Sequence, residues 1–174
     1  MKSHTDLLKS VFGFECYRPG QGEIVDAVAA GRNVLAIMPT GGGKSLCFQL
    51  PAIAQDGVTV VISPLIALMR DQVRALTELG VAAGALTSGN TEEEIEEVFQ
   101  ALEQGRLKLL YIAPERLANP ATAMMLKKVK TRLIAVDEAH CVSQWGHDFR
   151  PDYLRIGALR QSLGVPLAAF TATA

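Results

Sequence analysis

A global excess of positive charge is missing from this chain: Lys and Arg number 17 against 18 Asp and Glu, a net charge of -1. Contact with nucleic acid would therefore have to come from local patches or backbone amides, not from an overall basic field. Cysteine is sparse. Cys16, Cys47 and Cys141 are scattered and form no CxxC pair, which removes the usual zinc spacing, and an odd, low count fits a reducing compartment. Long hydrophobic runs are also missing. The longest apolar stretch, residues 58–69, is broken by Ser63-Pro64 and is too short to span a bilayer. The first residues, MKSHTDLLKSVFGF, carry a polar side chain every few positions and so lack the apolar core of a signal peptide. There is no repeat and no low-complexity linker. These absences predict a soluble, cytoplasmic protein with no membrane partner.

What is present is an ordinary globular balance, 49% hydrophobic and 20% charged over 174 residues, enough for one domain with a real core. Short β-branched runs predict strands at 34–37, 58–62, 82–86, 107–112, 132–136 and 167–170. Several are apolar throughout, as strands covered on both faces should be. Between them, helical patterns are predicted over 20–30, 44–54, 64–79, 91–102, 121–129 and 151–163. Strict alternation of strand and helix implies an α/β fold, a mainly parallel sheet with helices on both faces, and ligands beyond the carboxyl ends of the strands. One long non-periodic segment, 141–150, is polar and aromatic, the kind of loop that tends to be functional. The sequence stops right after the last predicted strand, so a fragment of a longer protein, a single domain over 1–174, is expected.

Two clusters carry chemistry. Met38-Pro39-Thr40-Gly41-Gly42-Gly43-Lys44-Ser45 joins a predicted strand to a predicted helix. Consecutive glycines let successive N–H groups point inward and, with the helix start, cradle phosphate oxygens. Lys44 is placed to reach the β- and γ-phosphates, and Ser45 to ligate Mg²⁺. Met38 occupies the position where the strict phosphate-loop pattern has its first glycine. The second cluster, Asp137-Glu138-Ala139-His140, follows an apolar strand. Asp137 is placed to hold Mg²⁺ through water and Glu138 to orient and activate the attacking water. Acidic residues also cap helix starts, but Lys44 and Ser45 upstream favour the chemical reading. Thr91-Glu92-Glu93-Glu94 reads as a capping box, and Lys127, Lys128 and Lys130 as a solvated face.

Together, these clusters resemble superfamily 2 helicases. The likeness narrows at Phe12-Gly13-Phe14-Glu15-Cys16-Tyr17-Arg18-Pro19-Gly20-Gln21, similar to a RecQ-type adenine-recognition motif, and at the loop from Cys141 to Pro151, similar to the RecQ aromatic-rich loop. Over its whole length the chain resembles the first RecA-like P-loop lobe of a bacterial-type RecQ DNA helicase. The resemblance implies that Gln21 bonds the adenine edge, that Phe14 and Arg18 sandwich the ring, and that Thr40, Gly41, Gly42 and Gly43 hold phosphate beside Lys44 and Ser45. It implies that Gln144, Trp145, Phe149 and Arg150 sense single-stranded DNA, with His147 linking the loop to the nucleotide site; base–aromatic stacking is the usual grip on single strands. Ser63, in Ser63-Pro64-Leu65-Ile66, and Thr171 and Thr173, in Thr171-Ala172-Thr173, fall in motifs that contact DNA or couple it to the nucleotide. Pro64 is expected in a first helical turn. Ser88-Gly89-Asn90 and Ala113-Pro114-Glu115-Arg116-Leu117 resemble further backbone-contacting motifs.

The resemblance therefore implies an ATP- and Mg²⁺-dependent 3′-to-5′ DNA helicase of repair and recombination, bacterial and nucleoid-associated. Its lobe here is a monomer that binds nucleotide weakly and unwinds nothing without a second RecA-like lobe, which supplies an arginine finger. The alternatives are a DEAD/DEAH-type RNA helicase lobe and a non-enzymatic nucleotide-binding module.

Overall fold

A computed structural model describes residues 3–39, 43–142 and 150–172. Six strands, β1 (Val34–Ile37), β2 (Val58–Ile62), β3 (Ala83–Leu86), β4 (Leu109–Ile112), β5 (Thr131–Val136) and β6 (Leu167–Thr171), form one parallel sheet in the order β1-β6-β5-β2-β4-β3. All five pairings are parallel, as the alternating pattern requires. The central β2 is buried at every position, which explains why its sequence, VTVVI, carries no polar alternation.

Among the described residues seven α-helices accompany the sheet: α1 (His4–Ser10), α2 (Gln21–Ala29), α3 (Leu46–Ala54), α4 (Ile66–Glu78), α5 (Glu92–Glu103), α6 (Pro120–Lys128) and α7 (Arg155–Leu163). They divide between the two sheet faces. Cys47 and Phe48 of α3, Met69 and Leu76 of α4 and Val28 of α2 pack with Ala36, Val61, Tyr111, Ala135 and Phe170 on one side. Leu102 of α5, Leu126 of α6 and Ile156 and Leu159 of α7 pack with Val60, Leu110 and Ile134 on the other. Helix α3 is buried from Leu46 to Ala52, with α1 and α2 closing over its outer side, so it is mostly apolar, and its one polar side chain, Gln49, donates to the Tyr111 hydroxyl at 2.9 Å. A fully buried side chain such as Leu50 or Ile62 contributes roughly 2–3 kcal/mol.

All six predicted strands and all six predicted helices exist; the differences lie at their edges. Helix α1 was not foreseen, because seven residues with only Leu7 and Leu8 buried leave no periodic signal. A Ser3–Asp6 capping box starts it. The Thr91–Glu94 capping box of α5 forms as expected. Pro64 does not open α4. The helix starts at Ile66 with Leu65 as N-cap, and the Ser63 hydroxyl accepts from the Leu65 N–H at 3.3 Å instead. The predicted 151–163 helix begins as a 3-10 turn, Pro151–Leu154, before α7.

The strand order places the carboxyl ends of β1, β6 and β5 side by side. Met38 donates its N–H to Thr171 O at 2.9 Å, and Asp137 donates to Ile62 O at 2.8 Å. Segments far apart in sequence are thus stitched into one edge.

Candidate nucleotide-binding site

The site is assembled from three strand ends. After β1 the chain passes Met38, whose side chain is buried and lies 4.0 Å from the Cys47 sulfur. The residue that departs from the glycine pattern therefore faces the core. Thr40, Gly41 and Gly42 lie outside the described residues. Gly43 has φ +81°, and a side chain there would run into the Gln21 amide, so this position needs glycine for both conformation and space. Burial pushes the Cys47 thiol up to about 11. It stays protonated and donates to Gly43 O at 3.7 Å, a weak brace under the loop. Lys44 and Ser45 form the turn before α3, and the Ser45 hydroxyl caps no helix N–H.

Lys44 Nζ stands 3.5 Å from Asp137 Oδ1 and 3.5 Å from Glu138 Oε1. The two clusters picked out in the sequence are therefore one site. Asp137 is 6% exposed. Burial raises its pKa above the ordinary carboxylate value, Lys44 pulls it back down, and Glu138 raises it again. Removal from water outweighs the ammonium here, so the pair is poised to gain from a further cationic partner. Asp137 is held by its own backbone: its carbonyl accepts the buried Tyr153 hydroxyl at 3.1 Å, and its Oδ1 accepts the Glu138 N–H at 3.0 Å.

Glu138 has φ 55°, the one non-glycine residue with positive φ among those described. Such backbone costs on the order of 1–2 kcal/mol. It turns the carboxylate away from the strand direction and toward Lys44 and His140. His140 Nδ1 is 3.5 Å from Glu138 Oε2 and shares a 3.0 Å hydrogen bond with Thr171 Oγ1. Sequence reasoning assigned His140 no role of its own. The signal was available in the β5–β6 pairing, where Val136 sits opposite Ala169 and residues just past both strands must meet.

The adenine-motif residues are partly gathered. Phe14 is 52% exposed, so it is not a core residue, and Arg18 is also exposed. Gln21 is 3% exposed. Its Oε1 accepts from Arg18 N at 2.7 Å and its Nε2 donates to Gly43 O at 3.1 Å. Gln21 thus ties the adenine motif to the phosphate loop, with one N–H and one lone pair left for a ligand.

The expected DNA residues are more dispersed. Gln144, Trp145, His147, Phe149 and Thr173 lie outside the described residues. Arg150 is exposed, and its N–H bonds to Cys141 O at 2.9 Å, closing the base of the aromatic segment. Ser63 is 2% exposed with its hydroxyl turned onto Leu65. Farther along the same edge, Asn90 Oδ1 accepts from Thr87 N at 2.7 Å and its Nδ2 donates to Ala85 O at 3.0 Å. Arg116 grips Thr87 O with Nε and Nη2 at 3.1 and 2.9 Å.

Residues 18–174 match the family described as DEAD/DEAH box helicase. The chain belongs to the DEAD/DEAH box helicase family. It is 48% identical over 169 residues to the ATP-dependent DNA helicase RecQ of Haemophilus influenzae, covering 97% of this chain and 27% of that protein. It is 49% identical over 177 residues to the ATP-dependent DNA helicase Q-like 2 of Arabidopsis thaliana, covering 97% of this chain and 25% of the relative. The chain thus spans about a quarter of these relatives' length. Among solved structures, the DUF1998 helicase MrfA bound to DNA and AMPPNP superposes with a TM-score of 0.81 at 19% identity, over 99% of this chain and 26% of that one, a likeness of fold.

The donor set at this edge suits a small hard cation. Asp137 and the Ser45 hydroxyl fit an ion that keeps most of its waters and meets substrate phosphates. Among the described residues no group of three or more His, Cys, Asp or Glu could hold a metal unaided. No described helix is long and apolar enough to cross a membrane.

Proposed function

We propose that this chain is the ATP-binding motor lobe, one RecA-like domain over 1–174, of a longer RecQ-like 3′-to-5′ DNA helicase of repair and recombination. The observation that carries this reading is Lys44 set 3.5 Å from both Asp137 and Glu138, in a family lobe whose relatives are named ATP-dependent DNA helicases. ATP enters with its ring between Phe14 and Arg18 and its edge at Gln21. The N–H groups from Thr40 to Gly43 and the start of α3 take the phosphate oxygens. Lys44 shifts from the carboxylates to the β- and γ-phosphates, where positioning and charge neutralisation supply most of the catalysis. Ser45 and Asp137 would hold Mg²⁺, which supplies further neutralisation of the phosphate charge. Glu138 orients the attacking water.

His140 and Thr171 form the route by which DNA affects this chemistry. Glu138, His140 and Thr171 make a continuous polar chain leading toward the segment that carries Thr173. Gln144, Trp145, His147, Phe149 and Arg150 grip single-stranded DNA by stacking and charge. The second lobe supplies the arginine finger and the rest of the track, so the 174-residue chain alone binds nucleotide and separates no strands.

The test is ATP hydrolysis by this chain and by the longer protein carrying it, each with oligo-thymidylate or oligo-uridylate. DNA-stimulated turnover in the longer protein is expected, falling by about a hundredfold or more in Lys44→Ala and losing its DNA dependence in Trp145→Ala. Stimulation by RNA alone would turn the reading to an RNA helicase. Robust strand separation by the isolated chain would overturn the division of labour between lobes.

A further inference from the structure

The sheet has a second functional-looking end. Opposite the nucleotide site, where the strands begin, three depressions of about 570, 300 and 280 Å³ adjoin one another. The first and second share Asp56, and the second and third share Val129, so together they make one trough across the amino ends of β2, β4 and β5. Its rim carries Arg132, Lys108, Lys130 and Lys127 against the single carboxylate of Asp56. Four cations against one carboxylate make this lining net positive in a chain whose net charge is -1. Lys127, Lys130 and Arg132 are exposed, and none of the four cations is within ion-pair distance of a carboxylate among the described residues.

The trough is rigid and partly apolar. Lys108 Nζ donates to Gln55 O at 2.8 Å and Val58 N donates to Lys130 O at 2.8 Å. Gly57, at φ +92°, is packed so closely on the Lys130 backbone and the Arg132 side chain that no Cβ would fit. Leu102, Leu107 and Val129 line the middle depression. His4, at one end, is the one aromatic ring lining the three depressions, so single-stranded nucleic acid would find no succession of stacking platforms. Cations around a depression with an aliphatic lining fit an extended peptide that carries both acidic and aliphatic residues.

We propose that this trough docks an acidic, aliphatic linear segment of a partner protein, at the end of the lobe remote from ATP. A partner held there leaves the nucleotide edge unobstructed.

A short fluorescein-labelled peptide of alternating aspartate and leucine, titrated with this chain and followed by anisotropy at low ionic strength, tests the assignment. Saturable binding is expected. It should weaken by about tenfold or more in Lys130→Glu/Arg132→Glu, weaken with added salt, and persist in millimolar ATP. The charge-neutral Lys130→Ser/Arg132→Ser pair should show an intermediate loss and guards against a folding defect in the reversed variant. Absence of binding, undiminished binding by both double variants, or displacement of the peptide by an equal concentration of oligo-thymidylate would overturn the proposal. The last outcome would make the trough a nucleic-acid surface.

Discussion

The carboxyl edge of the sheet has two halves built on different terms. At the ends of β2, β3 and β4, polar groups satisfy one another: Asn90 bonds to Thr87 and Ala85, Arg116 clasps the Thr87 carbonyl, and Ser63 holds Leu65. At the ends of β1, β5 and β6 the groups are left in tension. Asp137 is buried with its pKa raised, Glu138 has a left-handed backbone, and two carboxylates share one ammonium. Nearby, the Tyr17 hydroxyl is the one buried side-chain polar atom without a hydrogen-bond partner among the described residues. On the proposed function, local rules are broken where a ligand is to complete the structure and kept where only shape is needed.

The comparison breaks first if the satisfied half is not structural. Asn90→Ala removes an acceptor for two Thr87 donors and a donor to Ala85 O. It should cost about 2–3 kcal/mol of unfolding free energy, at roughly 1 kcal/mol per lost bond, measured by urea denaturation. Nucleotide affinity should be unchanged, and a stable Asn90→Ala with altered ATP binding would erase the distinction between the halves.

The tense half should gain stability when its function is removed. Because burial raises the Asp137 pKa, its folded-state value lies above its unfolded one. That group favours the fold below the ordinary carboxylate range and ceases to do so as pH rises through the raised value. Asp137→Asn should therefore raise the melting temperature by a few degrees at neutral pH while abolishing turnover. The gain should shrink as pH falls and the native carboxyl takes up its proton. A loss of stability at neutral pH, or a gain that grows in acid, would contradict the account.

The smallest effect belongs to Tyr17→Phe. Deleting an unpartnered buried hydroxyl should leave stability unchanged or raise it by up to about 1 kcal/mol. A clear destabilisation by thermal melting would mean that the hydroxyl has a partner in solution and the tension at that point is illusory.

Much of this was legible from residue order. Val58–Ile62, apolar at every position, announced a strand buried on both faces, and the Gly43-Lys44-Ser45 and Asp137-Glu138 clusters announced their own meeting. The Met38 exception was visible as a departure but not its reason, since only packing reveals that the side chain faces Cys47. Gln21 was read as an adenine ligand. Its bond to Gly43 O depends on how the segment preceding α2 folds back over the phosphate loop, a tertiary fact that no periodicity encodes. The Glu138 backbone was equally hidden, because glutamate has no preference for positive φ, and it takes the strand end, the Tyr153 bond and the following turn to impose it. The trough at the opposite end was invisible for the converse reason. Lys127 and Lys130 read as solvated charge, and Lys108 and Arg132 as residues of predicted strands, until the strand order gathers them around one depression after another.

The central claim is that the tension around Lys44 is relieved by ATP. Titration of this chain with ATP in the presence of Mg²⁺, followed by calorimetry alongside Lys44→Ala, tests it most directly. Saturable binding that raises the melting temperature, and that Lys44→Ala loses, is the predicted result. A chain that fails to saturate at millimolar ATP, or a Lys44→Ala variant that binds as tightly as the native chain, would contradict it.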